Sequence, residues 1–161
     1  MLDSLFMREI CAMAMHNPEK INNIKNLLNQ KKYNLVNTTK ENKDMVSSLV
    51  RLGKASGFLS ARILDYLDEG TISLVPRDAL QEIIDNIPAK PFEVIGIHDC
   101  YRVLPNYGND IRRLYIFQLY KLARSNMLEF ILTQLLGTKI TINKGDKEMY
   151  KDVLFSEYAL S

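Results

Sequence analysis

The chain has 161 residues, of which 47% are hydrophobic and 25% charged, with a formal net charge of +2. That length holds one domain with a real hydrophobic core, and this balance of apolar and charged residues excludes wholesale disorder. A net charge of +2 is too small to argue for nucleic-acid binding by itself, because the counterion-release effect needs a concentrated basic surface rather than a balanced total.

Cys11 and Cys100 lie far apart with no CxxC spacing, so neither a zinc site nor a disulfide framework is expected and a reducing compartment is the default. The first residues lack the basic, apolar and small-residue order of a signal peptide, and the longest apolar runs fall short of a membrane span. A cytosolic protein with no membrane partner is expected.

In chain order, Leu2, Leu5, Phe6, Ile10 and Met13 recur at helical spacing, with Asp3 or Ser4 able to cap, and Asn17 and Pro18 stop that helix. A second helix is expected over 18–30, with proline in its first turn and Ile21, Ile24, Leu27 and Leu28 on one face. Residues 31–43 are polar and asparagine-rich and read as a mobile connection. Met45, Leu49, Val50 and Leu52 suggest a short helix ended by Gly53. Residues 58–67 read as helical, 72–75 as a short strand, and Pro76, Arg77 and Asp78 open a helix through Leu80, Ile83, Ile84 and Ile87. Pro88 and Pro91 close it.

Residues 92–105, FEVIGIHDCYRVLP, form an apolar run that meets His98 and Asp99 and then resumes, the pattern of a hairpin with one carboxylate at its tip. Gly108, Asn109 and Asp110 then make a turn and cap, and 111–136 sustains apolar residues at three- and four-residue intervals, which predicts one helix of about seven turns. Gly137 ends it, 138–142 alternates like an edge strand, and 143–146 is a turn. The expected fold is α+β and mainly α, with a small antiparallel hairpin packed on the long helix. Residues 1–60 form a helical N-terminal region, and 61–161 carry the hairpin, the long helix and the C-terminal tail within a single compact unit.

Chemistry shows at Asp99. A hard divalent cation such as Mg2+ takes oxygen ligands, and an aspartate at a tight turn offers both of its oxygens without bending a strand. The bland reading of the same residue is a turn cap, and His98 can simply orient its neighbour's carboxylate. The ending 152–161, DVLFSEYALS, is more apolar and aromatic than a frayed terminus needs.

Ile97, His98, Asp99, Cys100, Tyr101 and Pro105, followed by a long helical segment and then by Asp152, Leu154, Ser156, Glu157, Tyr158, Ala159, Leu160 and Ser161, resemble the C-terminal part of single-subunit, phage-type DNA-directed RNA polymerases. The resemblance spans residues 95–126 and 152–161. Cys100 stands where the family has serine, and the family's histidine-rich upstream segment has its nearest counterpart in residues 63–72, where only Asp68 fits. The family's DxxGxQ-like motif and its Arg-Lys-Tyr-Gly helix are absent from this sequence.

The resemblance implies a palm-like 61–161 region in one piece of a bacteriophage polymerase, a split subunit or a C-terminal fragment. Asp99, with His98 beside it, would be a catalytic Mg2+ ligand for nucleotidyl transfer, and the second metal-binding aspartate would come from the remainder of the polymerase. It further implies nucleoside triphosphates, a DNA template and an RNA product as partners, an active-site tail of Tyr158, Leu160 and Ser161, and a place in the infected cell's cytoplasm or in the virion. Arg112, Arg113, Lys121 and Arg124 form a candidate basic face for a nucleic-acid backbone, with a solvated charged face as the bland reading. A non-catalytic helical interaction module and a fragment of a family-A DNA polymerase palm remain as alternatives. Cys100 beside a carboxylate makes a poor nucleophile, and Glu82, Asp85 and Glu93 read as surface rather than as an acid/base pair.

Overall fold

The computed structural model describes residues 2–30, 38–97, 100–146 and 148–156. Seven α-helices, three short 3-10 turns and one two-stranded antiparallel sheet make up these residues. The fold is therefore α+β and mainly α. Helix α1 (Leu2–Ala14) buries Phe6, Ile10, Met13 and Ala14. Asn17 starts α2 (Pro18–Asn29): its side-chain oxygen accepts from Glu19 N at 2.9 Å and Lys20 N at 3.2 Å, satisfying two of the free first-turn donors.

Helix α3 (Lys40–Ser56) is longer than its apolar spacing suggested. Thr39 caps it by accepting from Asn42 N, so the helix begins inside the polar stretch whose residues 31–37 lie outside the described ones. It runs through Gly53 and ends at Gly57, whose φ of +71° is the left-handed conformation that glycine adopts without a Cβ penalty.

Two expected elements between α3 and the next helix take other forms. Residues 58–67 hold only a 3-10 turn, Ala61–Asp65, and the expected strand at 72–75 is a second 3-10 turn, Ile72–Leu74. The cause is Asp68. Its Oδ1 accepts from Thr71 N and Thr71 Oγ1 (2.9 and 2.8 Å), and its Oδ2 accepts from Thr38 Oγ1 and Asn42 Nδ2 (2.5 and 3.2 Å). A side chain that binds the backbone three residues on curls the chain and leaves no extended edge to pair. Helix α4 (Arg77–Asp85) follows, with Leu80, Ile83 and Ile84 buried as their spacing predicts.

Strands β1 (Ile95–Ile97) and β2 (Cys100–Arg102) form the hairpin. A 3-10 turn, Pro105–Tyr107, leads into α5 (Gly108–Arg124). The single helix expected over 111–136 is two, α5 and α6 (Met127–Leu136), with a break at Ser125 and Asn126. Ser125 turns the chain by donating its hydroxyl to Leu122 O (2.8 Å) while accepting from Met127 N (3.2 Å), and Asn126 N donates to Ser56 O (2.8 Å). The break is thus bonded to the end of α3.

The expected edge strand at 138–142 is an irregular segment instead. Ile140 N donates to Thr133 Oγ1 and Ile142 N to Glu129 Oε1 (3.0 and 2.7 Å), so α6 side chains take the backbone donors that a ladder would use. Helix α7 (Met149–Leu154) packs on α5, where Tyr150 meets Tyr120 edge-on at 5.8 Å. All the buried apolar residues but Phe58 form one cluster contributed by α1 to α5 and the segments between them.

Candidate functional site

The site is built on the hairpin, whose register pairs Ile95 with Arg102, Gly96 with Tyr101 and Ile97 with Cys100. Alternation along each strand sends Gly96 and Tyr101 to the inner face and the other four to the outer one. The inner face rests on α1 and α5. A Cβ at Gly96 would lie 1.1 Å from Met7 Cε, so the strand lies directly over the end of the Met7 side chain, which a larger residue at 96 would displace. Tyr101 meets Tyr115 edge-on at 6.0 Å, and Tyr115 in turn meets Phe6 at 5.6 Å. Upstream, Phe92 N donates to Ala14 O at 2.8 Å and the Phe92 ring stacks on Tyr107 at 4.7 Å, anchoring the strand where it enters.

The outer face is open. Ile95 and Ile97 are 56% and 46% exposed, which is unusual for β-branched residues on a strand. Beside them lies a cavity of about 260 Å³ lined by Glu93, Ile95, Arg102, Val103, Leu104 and Tyr107. His98 and Asp99, the residues between the paired Ile97 and Cys100, lie outside the described residues. So do Tyr158, Leu160 and Ser161, while the described root of the tail ends at Ser156 after an exposed Phe155. The hairpin contacts α5 at Tyr115 and α7 contacts it at Tyr120, five positions on, which is about 7.5 Å along and about 140° around the helix. Hairpin and tail root therefore stand on different sides of one rod.

The four basic residues of α5 do not share one face. Arg112 and Arg113 are exposed near its start. Arg124 is held by Glu82, with Nη2 to Oε2 at 2.7 Å, and donates to Tyr120 Oη; these contacts push its pKa up, the Glu82 hydrogen bond foremost. Lys121 points into the core. Its Nζ donates to Leu59 O at 2.7 Å and lies 4.3 Å from the Phe58 ring centre. Burial lowers its pKa from 10.5 to about 8, with Arg124 adding to that and Glu9 and Glu82 opposing it.

Sequence reading missed a buried glutamate that holds the same segment. Glu9 is 1% exposed and accepts from Ala61 N at 2.6 Å and from Ser60 Oγ. Lys121 and Glu9 thereby staple the 59–61 segment from α5 and α1 respectively. The available signal was a glutamate on the apolar face of the first helix, one position before Ile10 and four before Met13. Asp68, the one residue that fitted the family's upstream segment, has both oxygens occupied by Thr38, Asn42 and Thr71. Burial by itself raises its pKa, and those hydrogen bonds outweigh it and hold the carboxyl below its ordinary range.

Among the described residues no three His, Cys, Asp or Glu side chains converge as a metal site, and no helix is long and apolar enough to cross a membrane. No known family model matches the chain, and no curated protein matches it.

Proposed function

We propose that this chain is a C-terminal fragment or split subunit of a phage-type DNA-directed RNA polymerase, in which Asp99 is one of the carboxylates that hold catalytic Mg2+. The observation that carries the reading is the hairpin register: with Ile97 opposite Cys100, the two residues between the strands are His98 and Asp99. A two-residue connection chosen for the turn alone favours Asn-Gly, Asp-Gly or a leading glycine. His-Asp is none of these, which supports a selected role for the pair.

Magnesium at such a carboxylate supplies the charge that steadies the oxygens of a nucleotidyl transfer. The chain's own contribution is positional. Met7 and Tyr115 support the two strands from beneath, so the strands that flank His98 and Asp99 in the sequence rest on two packed helices. Two ions need more than one aspartate, and Asp68 is committed to its own hydrogen bonds. The remaining carboxylate comes from the remainder of the polymerase, along with most contacts to template, RNA and nucleoside triphosphate. Arg112 and Arg113, with Arg102 on the outer strand face, are exposed cations of α5 and the hairpin that could meet phosphate.

The test is reconstitution with the companion polypeptide that carries a DxxGxQ-like motif, followed by template-dependent RNA synthesis. Asp99→Asn should keep assembly and fold while nucleotide addition falls by at least about a thousandfold, the loss expected of a metal ligand. Normal synthesis by Asp99→Asn refutes the reading. A second reading, a non-catalytic helical interaction module, is favoured by the apolar surface of α6. It expects no RNA synthesis from any such assembly.

A further inference from the structure

We propose that the cavity between α1, α3 and α6 binds a small amphipathic carboxylate, its hydrocarbon tail among the helices and its head on Arg8 and Arg62. Leu5, Leu49, Leu52, Phe58, Met127 and Phe130 line a space of about 190 Å³ where these three helices and the segment after α3 meet. Spaces between packed helices are common places for small ligands. An apolar cavity of about 150 Å³ takes benzene, so this one takes a slightly larger body, an alkyl tail of about seven carbons.

Charge at the cavity selects the head group. Arg8 and Arg62 share the lining with Glu9 and Ser60. The glutamate is already satisfied: its two oxygens accept from Ser60 Oγ and Ala61 N, and the charge of Lys121 acts on it from α5. The two arginines are not matched in this way. Arg8 is exposed and donates Nε to Ser4 O at 3.2 Å, which leaves its terminal nitrogens free of any partner among the described residues. Arg62 is half-buried, and its guanidinium has no hydrogen-bond partner among the described residues. The ion pairs among those residues are Arg124 with Glu82 and Lys151 with Glu148, so no carboxylate of the chain answers either arginine.

An anion therefore fits where a cation or a neutral head group does not. A guanidinium offers two parallel N–H donors, the geometry that a planar carboxylate accepts. The apolar lining sets the other half of the ligand, because an inorganic anion would leave the six apolar side chains without a contact. Met7 of α1 lies beneath the hairpin, whereas Leu5, Arg8 and Glu9 face this cavity. The site is thus separate from the hairpin, and the proposal does not rest on the polymerase reading.

Isothermal titration of the full chain with octanoate tests it, with octan-1-ol as the uncharged probe of the same length. Octanoate should bind at one site with a Kd on the order of 100 μM, and octanol at least about tenfold more weakly. Arg62→Gln, and separately Arg8→Gln, should weaken octanoate by about tenfold and leave octanol unchanged, since only the head group loses its donor. Leu52→Phe, at a position 45% exposed, should fill part of the cavity and weaken both probes. Far-ultraviolet circular dichroism checks each fold, and should Arg62→Gln unfold, Arg8→Gln at its exposed position carries the same comparison. No saturable octanoate binding, octanol bound as tightly as octanoate, arginine variants that bind octanoate normally, or a Leu52→Phe chain with unchanged affinity overturns the proposal.

Discussion

Replacing Lys121 with Met tests whether the lysine ammonium is held in the core as the packing implies. The side chain keeps its length, loses its charge, and leaves Leu59 O without its donor. In the wild type, a pKa lowered from 10.5 to about 8 corresponds to about 3 kcal/mol of penalty on the charged form, at 1.36 kcal/mol per unit. The sign follows from proton counts. Between about pH 8 and 10.5 the unfolded chain holds the lysine proton and the folded chain has released it, so stability attributable to this group rises with pH across that window. Below about pH 8 both states are protonated and the penalty is constant. Lys121→Met has no such group, so the difference in unfolding free energy, wild type minus variant, should be flat below pH 8 and rise by about 2 kcal/mol by pH 9.5. Taking the difference cancels tyrosine and cysteine titration common to both proteins. Urea unfolding followed by circular dichroism at each pH measures it. Profiles that stay parallel from pH 6 to 9.5 would mean that the ammonium is solvated, and the staple between α5 and the 59–61 segment would have to be abandoned.

Asp68→Asn should cost about 2 kcal/mol at neutral pH, since one charged acceptor serves Thr38, Asn42 and Thr71 together. Because the folded-state pKa is depressed, the stability from Asp68 is present above its unfolded pKa and is lost as pH falls through the folded one. The variant should accordingly show a shallower acid limb in urea unfolding, and an unchanged limb would count against the hub. Gly57→Ala should cost about 1 kcal/mol, read as a drop of about 3 °C in Tm, because the left-handed φ penalises a Cβ while Asn126 N and Ser125 Cα, both 3.5 Å away, leave ordinary room for it. A loss several times larger would place a steric clash at the α3–α6 junction.

Much of this fold is local and could be read from the chain alone. Asn17 before Pro18, the spacing of Ile21, Ile24 and Leu28, and that of Leu80, Ile83 and Ile84 each act within a few residues, so α2 and α4 form where their patterns lie. The hairpin is of the same kind: two β-rich runs dictate the strands, while His98 and Asp99 between them lie outside the described residues. Apolar periodicity carried on through Ser125 and Asn126 and concealed the break between α5 and α6, although Asn126 with Glu129 three residues later is the sequence mark of a new helix start. Other features had no local signal. The 3-10 turn at Ile72–Leu74 follows from an aspartate that also reaches Thr38 and Asn42, some thirty residues back in the chain. Lys121 counts as a basic surface residue until Leu59 O and Phe58 draw it inward, and Arg124 is engaged by Glu82 on a helix formed far earlier. Backbone pattern is set by neighbours a turn away, whereas the state of a charge is set by whichever distant groups the packed helices bring against it. Sequence alone therefore marked out most helices and the hairpin, and the tertiary structure decided which of the charged residues remain at the surface.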